Sequence, residues 1–276
     1  MKLNNILVLG ANGYLGKHLV THLKQNPENV VDCADKDVVD LRDSSQCKIF
    51  FANKDYQEIY QLAANSGSIK YLLSKDYNYG DSTIINLSII RALKAIEFKG
   101  RILFPSTFYA YNSTNKYGLE KLYNESLYLS SGLDVRIPRL FSIYGTGEIL
   151  NSPQEKVSTA FCRRVAEQKG NETILIKGHP WVKRHFLYLD DAIKGLVEHM
   201  SSDTVSCDLG GAKAISLQEL MDMILKVGGK DIEVNWTYEG EMSNISPAQI
   251  RIDWEPNVSL EDGITVLYGW VKNELS

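Results

Sequence analysis

The sequence predicts an α/β protein: a doubly wound parallel sheet carrying a smaller carboxy-terminal lobe. Three observations lead there. Short apolar runs alternate with helical stretches of ten or more residues through the first half, the rhythm of βαβ units. The first run ends in a glycine turn at Gly10, on the edge where such sheets bind their ligands. The 276 residues, 44% hydrophobic and 23% charged, match an ordinary globular chain. A chain of that length buries roughly 75% of its unfolded surface and needs no disulfide or metal staple.

Residues 5–10 (Asn-Ile-Leu-Val-Leu-Gly) read as a buried strand, because an unbroken apolar run bounded by glycine suits a strand covered on both faces. Residues 14–25 have helical spacing, and residues 29–34 are again strand-like. A third short strand is expected just before Asp40-Leu41. Ile59 to Ala64, Arg101 to Pro105 and Leu133 to Ile137 read as further strands, with helices over Thr83 to Phe98 and Tyr117 to Ser130. The second half is less regular. Residues 153–169, Asp190 to Met200 and Leu217 to Val227 look helical, and Thr173 to Ile176 looks like a strand. Residues 1–145 are therefore assigned to the sheet domain and 146–276 mainly to the lobe, with residues 171–195 expected to return to the sheet.

Lys and Arg total 30 against 34 Asp and Glu, a net charge of −4, which argues against a nucleic-acid partner. Cys33, Cys47, Cys162 and Cys207 form no CxxC pair and no metal-like spacing with a histidine. No metal is expected, and scattered thiols suit buried packing in a reducing compartment. No apolar run nears the ~18 residues of a membrane span. The chain opens directly on a strand without a signal-peptide layout, so no membrane partner and a cytoplasmic location are expected.

Gly10, Gly13 and Gly16 form GxxGxxG across Gly10-Ala11-Asn12-Gly13-Tyr14-Leu15-Gly16. Glycine permits positive φ and close backbone approach to a pyrophosphate, and the helix that follows presents free N–H groups. This spacing marks a Rossmann-type dinucleotide site, with Gly10, Asn12, Gly13, Tyr14, Leu15 and Gly16 along the cofactor. Glycines serving only a tight turn and helix–sheet packing are the plainer alternative. Asp35 falls 19 residues after Gly16, near the end of the second strand. A carboxylate there accepts both adenosine ribose hydroxyls and repels a 2′-phosphate, which favours NAD. The adjacent Lys36 could meet that phosphate instead, so NADP stays open. Asp40-Leu41 would place an acceptor on the adenine amine and an apolar wall on its face.

Tyr117-Gly118-Leu119-Glu120-Lys121 is YxxxK. On a helix the first and last of these share a face, and an ammonium beside a phenol is expected to pull its pKa down from ~10. Tyr117 could then exchange a proton with a sugar hydroxyl while Lys121 holds the nicotinamide ribose. Ten residues earlier, Leu103-Phe104-Pro105-Ser106-Thr107 ends an apolar strand in hydroxyls. Thr107 is the candidate for holding the reacting oxygen, with Ser106 as its competitor.

With these motifs in this order, the chain resembles the extended short-chain dehydrogenase/reductases that modify nucleotide sugars, the NAD-dependent epimerase/dehydratase family, from Leu3 to Val271. Tyr60-Gln61-Leu62-Ala63-Ala64-Asn65 is similar to the family's HLAA segment, which implies cofactor contacts from Leu62, Ala63 and Ala64. Asn86 matches a helix asparagine, and Arg139 to Gly145 resembles RxxNxYG beside nicotinamide and substrate, with Ser142 in place of the asparagine. Arg184 to Asp191 resembles RDFxxVDD with His185 for the aspartate, and Trp254 to Gly263 resembles the WxPxxxLxxGI tail. Glu155-Lys156 and the Thr159 to Arg164 stretch are similar to the GDP-mannose 3,5-epimerase branch, which implies an acid/base role for Lys156. The short link from Asp35 to Asp43 resembles GDP-fucose synthase and dTDP-4-dehydrorhamnose reductase.

The departures carry information too. Tyr109 stands where epimerizing branches hold a cysteine, and Phe108-Tyr109 stand where the 4,6-dehydratases hold Asp-Glu. Only five residues separate Tyr111 from Tyr117, where relatives hold a long loop. Arg164, with Arg163, is a candidate for a nucleotide phosphate. Arg184 lies in a cluster with His179, Trp181, Lys183 and His185 that could bind diphosphate, and Arg251 is the nearest match to the family's phosphate-binding arginine. His18 and His22 read as packing or surface histidines.

The resulting expectation is an enzyme using NAD, with NADP open, on a nucleoside-diphosphate sugar, most simply reducing a 4-keto group. An epimerase that retains its NAD is the alternative, and a non-catalytic dinucleotide sensor is the reading from another class. Catalysis is expected from Thr107, Tyr117 and Lys121. Substrate contacts are expected from Ser106, Tyr109, Ser142, Lys156, Arg164, Arg184 and Arg251. The resemblance implies a homodimer through the helices following Asn86 and Tyr117.

Overall fold

The structure is a computed structural model describing residues 3–72, 74–112, 115–170, 172–238 and 254–276. β1 (Asn4–Leu9) passes through the glycine turn into α1 (Tyr14–Leu23) and on to β2 (Asn29–Ala34). The first half continues with α2 (Ser44–Phe51), β3 (Glu58–Gln61), a short α3 (Ile69–Leu72), α4 (Asp81–Ala95) and β4 (Arg101–Leu103). It closes with β5 (Ser106–Thr107), a 3-10 helix (Phe108–Asn112), α5 (Lys116–Leu129) and β6 (Asp134–Leu140). Next come β7 (Ser142–Tyr144), α6 (Val157–Glu167), β8 (Ile174–Ile176), β9 (Lys183–Tyr188) and α7 (Leu189–Ser201). The chain ends with β10 (Ser206–Leu209), β11 (Ala214–Ser216), α8 (Leu217–Gly228), β12 (Val234–Trp236) and α9 (Leu260–Glu274).

The seven-stranded sheet runs β10-β6-β4-β3-β1-β2, with β5 also paired to β6, and every pairing is parallel. Side chains alternate across it. Leu7 and Leu9 of β1 enter the core under α2, α4 and α5 with Phe51, Ile89 and Leu93, while Ile6 and Val8 enter the opposite core under α1 and α7 with Leu19 and Ile193. Burial on both faces is why these strands read as continuous apolar runs. β1 has β2 on one side and β3 on the other, so the connections diverge at its carboxyl end and open a crevice there. The lobe has its own core, in which Phe161, Val165, Leu220, Ile224, Ile264 and Leu267 pack between α6, α8 and α9.

Several expectations change. No third strand stands between β2 and Asp40: the chain turns after β2 and enters α2, which Asp43 caps by accepting from Ser45 N at 2.8 Å and Gln46 N at 3.2 Å. The segment that rejoins the large sheet is β10, with α7 over its face, which lies later than residues 171–195; β9 pairs instead with β7 and β11. The Leu133–Ile137 strand extends to Leu140. Its partner changes from β4 to β5 around Pro105 and Pro138, neither of which has an N–H to donate. Cys33 is exposed, and the other three thiols are buried. Among the described residues no helix is long and apolar enough to cross a membrane.

Candidate active site

The glycine turn is built so that only glycine fits. Gly10 has φ +76°, and a Cβ there would lie 2.7 Å from Ala63 N and 2.9 Å from Leu62 C. A Cβ on Gly16 would run into the Gly10 carbonyl. The turn is thereby pressed against Leu62-Ala63-Ala64 at the end of β3. α1 starts at Gly13 with no side-chain cap, so the positive end of its dipole and its first N–H groups are left for a ligand. Asp35 reaches the same turn, where Oδ2 accepts the Asn12 N–H at 3.0 Å. A backbone cradle, an uncapped helix and a carboxylate on the ribose side fit a dinucleotide. The side chain of Tyr14 turns away from this cradle toward the lobe, with its ring 3.5 Å beneath the Lys156 ammonium. Lys36 is exposed. Asp40 is gripped by Arg42 through Nε at 3.0 Å and Nη2 at 2.8 Å, and these bonds hold its carboxyl down to about 2.

Thr107 ends β5 and Tyr117 lies in the first turn of α5. Asn115 fixes that turn by accepting the Gly118 N–H at 2.8 Å. A Cβ on Gly118 would sit 2.6 Å from Tyr109 O, so glycine here lets α5 close directly onto the 3-10 helix. The contact sets the Tyr117 phenol toward the Thr107 side chain. The Tyr109 N–H also donates to Thr107 Oγ1, at 3.4 Å. Lys121, 8% exposed, donates from Nζ to Pro105 O at 2.7 Å and lies 4.6 Å from the Phe104 ring.

The electrostatics reverse one expectation. Burial raises the Tyr117 phenol, and the Thr107 side chain only partly opposes it. Lys121 does not lower it, because its ammonium is turned to the Pro105 carbonyl. Burial also pushes Lys121 down to about 8, against the opposing carboxylates of Glu120 and Glu125. In the protein as it stands, the tyrosine is therefore a proton-bearing acid rather than a phenolate.

Other candidates are distributed differently from the sequence expectation. Ser106 faces away from Thr107, as successive strand residues must, and its hydroxyl donates to buried Glu125. Arg139 grips the same carboxylate through Nε at 2.9 Å and Nη2 at 2.7 Å. Lys156 pairs with Glu148 at 3.2 Å and stacks on Tyr14, so its ammonium is engaged at the junction of α1 and the lobe. Arg163 forks onto Glu155, and Arg164 donates to Leu175 O at 2.9 Å. Burial lowers Arg184, with the Tyr109 charge opposing that, and Tyr109 packs edge-on to Tyr117 with ring centroids 6.2 Å apart. Ser142 is half-buried at the start of β7, and Arg251 lies outside the described residues.

Sequence reasoning missed two partnerships. Tyr111 donates to the Asp208 carboxylate, at 2.9 Å to Oδ2, and lies 4.1 Å from the Arg139 guanidinium, which anchors the short loop before α5. Tyr77 donates to Glu120 at 2.7 Å and packs edge-on to Tyr117 with ring centroids 6.3 Å apart. Glu120 lies within the YxxxK motif itself, but nothing in the sequence pairs it with a loop residue far upstream.

The family model described as NAD dependent epimerase/dehydratase family matches residues 6–206. The chain is 24% identical to GDP-mannose 3,5-epimerase of Arabidopsis thaliana, across 98% of this chain and 82% of that protein. A UDP-glucose 4-epimerase of Thermotoga maritima superposes with TM-score 0.82 at 19% identity, covering 99% of this chain and 100% of that one. A GDP-6-OMe-4-keto-L-xylo-heptose reductase from C. jejuni superposes with TM-score 0.82 at 15% identity, covering 99% of both. At such identities the two superpositions establish the fold alone.

Proposed function

Because the chain belongs to the NAD dependent epimerase/dehydratase family, we propose that it is a nucleotide-sugar oxidoreductase that reduces a 4-keto group of a nucleoside-diphosphate sugar. The observation that carries this reading is a half-buried Tyr117 phenol that faces Thr107 and is kept in its acid form by burial, with Lys121 one turn further along α5. Reducing a ketone takes one hydride at carbon and one proton at oxygen, and a phenol kept in its acid form is suited to give that proton. The backbone from Gly10 to Gly16, Asp35, Leu62 to Ala64 and Lys121 would hold the dinucleotide, which when bound supplies the hydride. Thr107 orients the ketone oxygen, Tyr117 donates to it, and solvent restores the proton to the resulting phenolate. Lys156, the other acid/base candidate, is occupied by Glu148 and Tyr14, which favours chemistry needing a single proton donor. The carboxylate of Asp35 beside the turn favours NAD over NADP. Tyr109 and Arg184 would line the sugar side.

The test supplies a 4-keto nucleoside-diphosphate sugar with NADH or NADPH. Stoichiometric loss of reduced-nicotinamide absorbance is expected. The likeness to GDP-mannose 3,5-epimerase favours a second reading, an epimerase that keeps its NAD. Turnover with bound NAD and no net oxidation would select it. A homodimer through α4 and α5 is supported by apolar side chains on those helices, where Ile84, Leu119 and Tyr123 are 47%, 46% and 53% exposed. Sedimentation should show a dimer that Leu119→Glu with Tyr123→Glu converts to monomer, and an unchanged dimer would exclude this face.

A further inference from the structure

We propose that Glu120 and Tyr77 are positioning residues: the Glu120 carboxylate pins the loop before α4 onto α5 and holds the Tyr77 ring against the edge of Tyr117. The inference rests on the reading above that Tyr117 and Lys121 do the chemistry, but it is tested without substrate. Glu120 is 2% exposed. A buried carboxylate is tolerated only when donors surround it, and here they come from a single neighbouring segment. Oε2 accepts the Tyr77 hydroxyl at 2.7 Å, and Oε1 accepts Gly80 N at 3.1 Å, Thr83 N at 3.2 Å and Thr83 Oγ1 at 3.4 Å. α4 has no side-chain cap of its own at Gly80, so Glu120 of α5 caps it from outside. The link continues inward. Asn124 donates to Thr83 Oγ1 at 3.0 Å and accepts from Asn86 at 3.0 Å, and Asn86 in turn accepts from Gln61 at 3.0 Å. Gln61 accepts the Ala63 N–H at 3.2 Å, beside the glycine turn. The start of the catalytic helix is thereby tied to the cofactor side through a chain of side-chain hydrogen bonds that ends on the Ala63 backbone.

The ring geometry gives this tie a target. Tyr117 lies between two edge-on rings, Tyr77 at 6.3 Å and 83° and Tyr109 at 6.2 Å and 73°. Tyr109 is fixed by backbone contact with Gly118, whereas the Tyr77 hydroxyl is held by Glu120. Glu120 also sets the local charge. The groups facing Lys121 are Glu120 and Glu125 on its own helix, with the Pro105 carbonyl and the Phe104 ring from the strand side, and Glu125 is already paired with Arg139. Those facing Tyr117 are Thr107, Tyr109, Tyr77 and Glu120. Glu120 is thus the carboxylate near Lys121 that lacks a cationic partner of its own in this set.

The experiment labels the cofactor-free protein and reads single peptides by mass spectrometry. Acetic anhydride reports the titration midpoint of Lys121 across pH, and N-acetylimidazole reports the accessibility of Tyr117. Glu120→Gln should lower the Lys121 midpoint by about half to one pH unit, since the charge that favours the ammonium is gone. Tyr77→Leu should speed Tyr117 acetylation by about fivefold or more, since one of its two covering rings is removed. Tyr77→Phe keeps the ring and loses only the bond to Glu120, so it should speed acetylation by about twofold and remains informative if Glu120→Gln does not fold. A Lys121 midpoint unchanged in folded Glu120→Gln, or a Tyr117 rate unchanged in both Tyr77 variants, would overturn the proposal. Failure of the keto sugar assay alone would instead count against the functional reading.

Discussion

Replacing Lys121 with methionine separates the cost of burying an ammonium from its chemical use. The residue is 8% exposed, and burial brings it from the 10.5 of a free lysine to about 8. At about 1.36 kcal/mol per pH unit, holding the charged form in the fold costs about 3 kcal/mol below that midpoint. Between about 8 and 10.5 the folded protein binds fewer protons than the unfolded chain, so stability rises with pH through that window. Integration gives the wild type about 1.4 kcal/mol by about pH 9 and about 2.5 kcal/mol by about pH 10, relative to about pH 7. Lys121→Met has no such group and should lack the rise. At neutral pH the variant escapes the ammonium cost but leaves the Pro105 carbonyl without its donor, a penalty of about 1–3 kcal/mol. The two proteins should therefore lie within about 2 kcal/mol of each other there. Urea unfolding of both at matched pH values is the assay, and taking their difference removes every other titrating group. Stability curves that run parallel from neutral to alkaline pH would refute the buried-charge account. Turnover should be lost in the variant at every pH.

Tyr117→Phe should reduce turnover of a 4-keto nucleotide sugar by at least about 100-fold while sparing NADH binding, and retained turnover would remove Tyr117 from its role. Asp35→Ser takes away the acceptor at the glycine turn, so the ratio of NADH to NADPH affinity, read by nucleotide fluorescence, should move about tenfold toward NADPH. Gly10→Ala forces a Cβ to within 2.7 Å of Ala63 N at φ +76°, and should abolish dinucleotide binding. It should also destabilise the fold by about 2 kcal/mol or more, measured by urea unfolding.

Much of the fold was legible because its signals are local. A strand covered on both faces must be written as an unbroken apolar run, as Ile6 to Leu9 of β1 is. α2 was not anticipated because it is only eight residues long and its start depends on Asp43 folding back onto Ser45 and Gln46. The return of the chain to the sheet was expected too early, because β9 looks like a core strand until its partners are known, and those partners are β7 and β11. In one dimension Thr107 is the candidate and Ser106 its competitor. Strand alternation guarantees that they face opposite ways, but only the packing of α5 decides which of them meets Tyr117.

Spacing along the chain was therefore enough to mark a glycine turn suited to a dinucleotide and the order of the hydroxyl, phenol and amine. A tight backbone approach and a helix face are both encoded within a few residues. What the tertiary structure alone decided is the state of those groups. The phenol is held as an acid, Lys156 is drawn to Glu148 and Tyr14, and Tyr77 meets Glu120. Burial and Coulomb interactions depend on distance through space, and in these cases the partners come from different elements of the chain.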